Sequence, residues 1–215
     1  NAAWSFLGEG AAFWVTVAVL LVVGVAVYLV TRKKSSKKSF WTAKTMAVGA
    51  MCMALSSVLS LIKLWPMPMG GSVTPASMLP LLLFAYCYGV GPGMVLGALY
   101  GVMQFLLDGM AWAALGAIPN LLDYPIAFGL LGLAGCFRGS KAKMTAGFVL
   151  GCFGRFMASF LSGFIFYGQY APEGVNPVWY SLTYNGSYML VECIICIALG
   201  LLVGERLAKE LKKVA

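Results

Sequence analysis

An all-α integral membrane protein is the fold class this sequence predicts, on three observations. Hydrophobic residues fill 61% of the 215 positions and charged residues only 10%, where a soluble domain carries about 25% charge. The apolar residues fall into runs of about 20, the length that crosses a bilayer as a helix. The 15 Lys and Arg sit in short clusters between those runs, as topology signals do. A bundle of helices then follows, because a spanning helix satisfies its own backbone hydrogen bonds.

Seven spans are expected. The first covers 11–30, AAFWVTVAVLLVVGVAVYLV, with Thr16 as its one polar residue, and a basic run from Arg32 to Lys38 follows it. An apolar run flanked this way reads as a signal anchor or an extra lipid-facing helix rather than a cleaved signal. The second span covers 41–62 and leads into KLWPMPMGGSVTP (63–75). That loop holds glycines and prolines beside Trp65, so it can fold back over the bundle or serve as a plain connector. The third span, 77–89, is short and stops at GVGPG; the fourth is 93–108; the loop DGMAWAALGA precedes the fifth, 118–136. The sixth is 145–168. The loop QYAPEGVNP leads to the seventh, 178–204, which ends in the basic tail ERLAKELKKVA. Residues 1–39 are thus expected to be an appended helix and linker, and 40–215 the binding domain.

Orientation follows from the bases. With 31–44, 137–143 and 205–215 placed inside, only Lys63 and Arg155 fall elsewhere. This puts the amino terminus outside and the carboxyl terminus in the cytoplasm of a multi-pass cell-membrane protein. The same clustering argues against nucleic acid as the partner for the net charge of +8. Histidine is absent, which removes His-based triads, HExxH zinc sites and His-ligated haem. Cys193 and Cys196 form CxxC without a second pair, so they read as small apolar residues and no metal site or cofactor is expected. Small residues recur four apart, at Ala50 and Ala54, Gly97 and Gly101, Gly147 and Gly151, and Gly200 and Gly204. Such pairs let helix backbones approach closely.

Asp123 is the residue that points to function. It lies in IPNLLDYPIAFGLLGLAG (118–135), and a carboxylate at membrane depth is costly enough to mark a site by default. Tyr124 is adjacent, Pro119 and Pro125 loosen the helix around both, and Asn120 lies about one turn earlier on the same face. Tyr167, Tyr170, Trp179, Tyr180, Tyr184 and Tyr188 crowd the last outer segment. Some belong to an interfacial belt. A belt does not explain Asn185, which reads as either a ligand contact or an interhelical hydrogen bond. Arg155 and Glu192, in separate spans, are open to a structural ion pair. A carboxylate among aromatic faces suits a flat, cationic, nitrogen-rich ligand through charge and cation–π attraction.

From Ala47 to Glu192 the chain resembles the thiamin-specific S components of energy-coupling factor (ECF) transporters. The segments that carry the likeness are GGSVTPASMLPLLLFAYCYGVGPGMVLGALYGVMQFLLD, LLDYPIAFGLLGLAG, GRFMASFLSGFIFYGQYAPEG and YSLTYNGSYM. The resemblance implies a six-helix bundle, here with one extra N-terminal helix, and a vitamin pocket under a loop lid. It also implies docking of a transmembrane coupling protein and two ATPases through AxxxA, on Ala50 and Ala54. The family's acidic–aromatic pair falls on Asp123 and Tyr124, its glycine and aromatic on Gly163 and Tyr167, and its tyrosine and asparagine on Tyr180 and Asn185. Trp65 is the match for a loop tryptophan.

Three positions depart from the pattern. Ser159 stands where a histidine is usual, Asp123 where a glutamate is, and Tyr167 where a tryptophan is. These departures keep open a related ligand, such as the aminopyrimidine precursor of thiamin or a B6-type pyridine. The expected function is therefore capture of thiamin or an analogue, not catalysis. An intramembrane enzyme would want a second facing carboxylate. The chain has no GxxxxGKS loop, so ATP hydrolysis falls to a partner.

Overall fold

The structure is a computed structural model that describes residues 41–68 and 70–214. The first expected span, 11–30, lies outside the described residues. Five helices among them are long and apolar enough to cross a membrane: α1 (Ala43–Leu61), α3 (Val90–Gly109), α4 (Ala117–Cys136), α5 (Lys141–Phe166) and α6 (Pro177–Leu211). A shorter apolar helix, α2 (Leu79–Tyr88), lies between α1 and α3.

Local chemistry sets the helix starts. Thr42, Ser140 and Asn176 cap α1, α5 and α6, each side-chain oxygen accepting a backbone N–H from the first turn. These are the residues that satisfy orphan donors best. Pro177 follows its cap at the first helical position, where its missing N–H costs nothing. Gly89, at φ +108°, breaks α2 from α3, a backbone state that favours glycine.

Length explains the place of α2. Ten residues rise about 15 Å, half the hydrocarbon thickness. All ten are buried, and Leu81, Leu82, Phe84 and Ala85 form the centre of the core with Tyr100, Leu131, Met144 and Phe148. The long helices surround it and turn residues such as Met51, Leu55, Val58 and Leu61 outward, as lipid-facing surfaces require. The glycine pairs pack helices within the chain. A Cβ at Gly97 or Gly101 on α3 would strike the Phe128 or Tyr124 carbonyl of α4, and Gly147 and Gly151 of α5 meet Ala134 and Leu131 in the same way. Ala50 and Ala54 instead remain exposed on α1.

Helix ends depart from expectation. The sixth expected span, α5, begins at Lys141 because Ser140 caps it there. The basic tail does not leave the seventh span; it continues through a π turn at Gly200–Gly204 into Glu205–Val214. The loop 63–75 forms a two-stranded hairpin, Trp65–Pro66 against Ser72–Val73. The Met67 N–H donates to the Gly71 carbonyl at 2.7 Å and closes its turn.

Candidate functional site: a polar cavity beneath the outer hairpin

The hairpin, α1 and α3 to α6 enclose a cavity of about 120 Å³. Its first wall is α4. Pro125 carries no N–H and its ring obstructs the preceding turn. The helix accommodates it by widening into a π turn over Leu122–Ile126, in which the Ala127 N–H reaches the Leu122 carbonyl five residues back. Such turns re-aim side chains and are frequent at functional sites. Here the turn carries Asp123 and Tyr124, and both line the cavity. The Ser162 hydroxyl of α5 donates to Asp123 Oδ2 at 2.7 Å. Phe105 meets the Tyr124 ring edge-on at 5.4 Å.

The second wall is a stripe on α5 with a step of four residues: Arg155, Ser159, Gly163 and Tyr167 all line the cavity. Residues four apart share one helix face. Gly163 permits the approach of α6, since a Cβ there would collide with Ser181 Oγ and lie 2.9 Å from Asn185 Nδ2. The third wall, on α6, repeats the spacing. Tyr180, Tyr184 and Tyr188 follow one another with ring centroids 5.9 and 6.0 Å apart. Asn185 sits among them. Its Nδ2 donates to the Ser181 carbonyl at 3.1 Å and its Oδ1 accepts from Tyr188 Oη at 3.1 Å. Those bonds hold its amide in one orientation at the cavity wall.

The hairpin forms the roof. Gly70, Gly71 and Ser72 face the cavity, and Gly71 lies so close to Tyr188 that a Cβ would come within 2.7 Å of its ring. Lys63 bridges to Asp108 at 2.8 Å, tying the hairpin's entry to the end of α3. The hairpin's exit is tied to α6, where Thr74 and Ser77 both donate to Glu192 Oε1, the latter at 2.8 Å. Glu192 is 1% exposed.

Seven of the nine sequence-selected residues therefore face one cavity: Asp123, Tyr124, Ser159, Gly163, Tyr167, Tyr180 and Asn185. Two do not. Trp65 is 63% exposed in the first strand of the hairpin, opposite Val73, and is not part of the cavity wall. Asn120 is buried beside α4's first turn and its Nδ2 donates back to the Gly116 carbonyl at 2.7 Å. Its amide is thus turned back on the start of its own helix and does not line the cavity.

An Arg155–Glu192 ion pair does not form among the described residues. Glu192 is taken by the two hydroxyls, and the Arg155 guanidinium lies over the Phe128 ring at 4.1 Å. Both nevertheless line the cavity, as do Tyr184 and Tyr188, so sequence reasoning missed these members of the wall. The signals were present: Arg155 stands four residues before Ser159, and Tyr184 and Tyr188 continue the step from Tyr180. Two carboxyl groups, Asp123 and Glu192, thus share the cavity with one guanidinium, Arg155, while Asp108 is matched by Lys63.

This arrangement can hold a small monocation with hydrogen-bonding edges and flat faces. The model of the thiamine transporter protein family matches residues 46–211. The chain belongs to that family. The thiamine transporter ThiT of Bacillus subtilis (strain 168) is 38% identical over 144 residues, 60% of this chain and 73% of the relative. ThiT of Lacticaseibacillus paracasei is 31% identical over 170 residues, covering 72% and 81%. A solved structure of ThiT from Listeria monocytogenes superposes with a TM-score of 0.67 at 20% identity, over 78% of this chain and 96% of that one. That likeness shows a shared fold. The family is one of membrane transporters, in keeping with the apolar helices of this chain.

Proposed function

We propose that this chain is the S component of an ECF-type importer and captures thiamin from outside for ATP-driven uptake. The observation that carries the reading is Asp123. In a member of the thiamine transporter family, a carboxyl group held by Ser162 lines a polar, aromatic-walled cavity. Thiamin offers the complement: a permanent positive charge on one ring and an amino group on the other.

Each wall has a part in capture. Asp123 accepts from the aminopyrimidine or balances the thiazolium. Tyr124, Tyr167 and Tyr180 offer faces for stacking, and cation–π contact with such rings contributes about 0.5–2 kcal/mol each. Asn185 and Ser159 fix orientation. The hairpin closes over the ligand, excluding water and strengthening these polar contacts. Trp65 would join the site only if the hairpin turned inward on binding.

The wider assembly is read the same way. Six helices, the short α2 included, form the binding bundle. The amino terminus is outside and the carboxyl terminus cytoplasmic. Ala50 and Ala54 present a small-residue strip on α1, suited to close packing against a transmembrane coupling protein. ATPase subunits beneath that partner supply the energy, and the chain itself catalyses no reaction.

A second reading keeps the bundle and changes the ligand. Ser159, Asp123 and Tyr167 differ in chemistry from the residues usual at their positions, which is the basis for reading the ligand as the free aminopyrimidine or a pyridine-type vitamin. Titration calorimetry of the purified chain with thiamin, its pyrimidine precursor, pyridoxine and riboflavin separates the two. Tightest binding of thiamin supports the proposal; no heat with thiamin at micromolar concentration rejects it.

A further inference from the structure

The cavity floor holds a group that the capture reading does not use. Arg155 Nε and Nη1 are buried and have no hydrogen-bond partner among the described residues, although the guanidinium lines the cavity. One face of that guanidinium rests on Phe128. Of the carboxyl groups at the cavity, Glu192 is held by Thr74 and Ser77, and Asp123 by Ser162. A buried charged donor without a partner is unfavourable, and an acceptor brought by a ligand relieves it.

We propose that Arg155 is a specificity-determining binding residue that donates to a neutral acceptor, a ring nitrogen of the bound aza-heterocycle. This rests on the thiamin-capture reading and adds to it the polarity of the ligand's far edge. The lining then offers complementary edges: carboxylates at Asp123 and Glu192 accept from amino groups, and Arg155 donates to an unprotonated nitrogen. The charge pattern selects a neutral acceptor over an anionic one. A phosphate ester would bring up to two negative charges into a cavity where two carboxylates face one guanidinium.

The test is a cycle of protein variants against ligand variants, read by titration calorimetry on the full chain. The variants are Arg155→Met, which keeps the stem and removes the donors, and Arg155→Lys, which keeps the charge without the planar fork. The ligands are thiamin, two deaza-thiamins in which one or the other pyrimidine nitrogen is C–H, thiamin monophosphate and pyridoxine. The expected result is a loss of about 10- to 100-fold for thiamin in Arg155→Met. One deaza analogue binds both proteins equally, and Arg155→Lys falls between. The unliganded melting temperature of Arg155→Met holds or rises, since a buried charge has been replaced by an apolar stem.

An equal loss for thiamin and both deaza analogues, no loss at all, or a marked fall in unliganded melting temperature overturns the proposal. A loss confined to thiamin monophosphate also overturns it, because the guanidinium would then be reading an anion. Wild-type chain that ignores thiamin but binds pyridoxine rejects the thiamin reading alone. The same comparison on pyridoxine, whose ring nitrogen is the same kind of acceptor, then decides the role of Arg155. Binding of neither ligand rejects both.

Discussion

Replacing Asp123 by Asn keeps the shape of the side chain and removes its charge. The Asn oxygen can still accept from Ser162, whose hydroxyl now lies 2.7 Å from Oδ2, so the local packing survives. Two contributions to binding disappear. A unit charge pair at about 4 Å and an effective dielectric of about 20 is worth about 4 kcal/mol before desolvation of either partner. A hydrogen bond to a charged group nets about 1.5–3 kcal/mol. These overlap, and desolvation offsets part of the first, so the expected net loss is about 2–4 kcal/mol. That corresponds to thiamin binding weakened by about 30- to 700-fold. Titration calorimetry of both proteins measures it. Unliganded melting should be unchanged or slightly higher, because an ionised side chain no longer has to be buried. Binding within threefold of wild type would refute the reasoning, as would an equal loss for an uncharged ligand of the same shape.

Other expectations follow from the walls of the cavity. Gly163→Ala forces α5 away from Ser181 and Asn185 and should cost about 1–3 kcal/mol of stability, with weaker thiamin binding; a melt and a titration check both. Lys63→Ala removes a half-exposed bridge to Asp108, worth at most about 1 kcal/mol. It should leave melting nearly unchanged while ligand release becomes faster, as followed by stopped-flow fluorescence. Glu192→Ala strips the shared acceptor from Thr74 and Ser77 and should lower stability by about 2 kcal/mol or more, visible in a denaturation curve. Ala50→Trp should leave binding intact in the purified chain but abolish uptake in cells that supply the coupling subunits.

Much of this fold was legible because hydropathy and charge clustering report directly on a bilayer. The extent of α2 was close to expectation for a simple reason: GVGPG includes Gly89, whose positive φ ends the helix whatever its surroundings. The site was legible through Asp123, since a carboxyl group in an apolar run has few reasons to be there. What escaped was anything decided by backbone detail. Asn120 looked like a neighbour of Asp123 at helical spacing, and its amide instead folds back on the Gly116 carbonyl. Trp65 looked like a roof residue, and the hairpin instead presents Gly70, Gly71 and Ser72 to the cavity and leaves Trp65 exposed. Arg155 and Glu192 looked like each other's partners because sequence gives no distance between spans. Only the fold shows that two hydroxyls at the root of the hairpin already occupy Glu192.

The position of a bound ligand tests the role of Asp123 most directly. A structure of the full chain with thiamin should place the aminopyrimidine or thiazolium within hydrogen-bond or ion-pair distance of Asp123, flanked by Tyr124 and Tyr167 and covered by the hairpin. Thiamin resolved outside this cavity, or inside it with Asp123 turned away toward Ser162 alone, would contradict it.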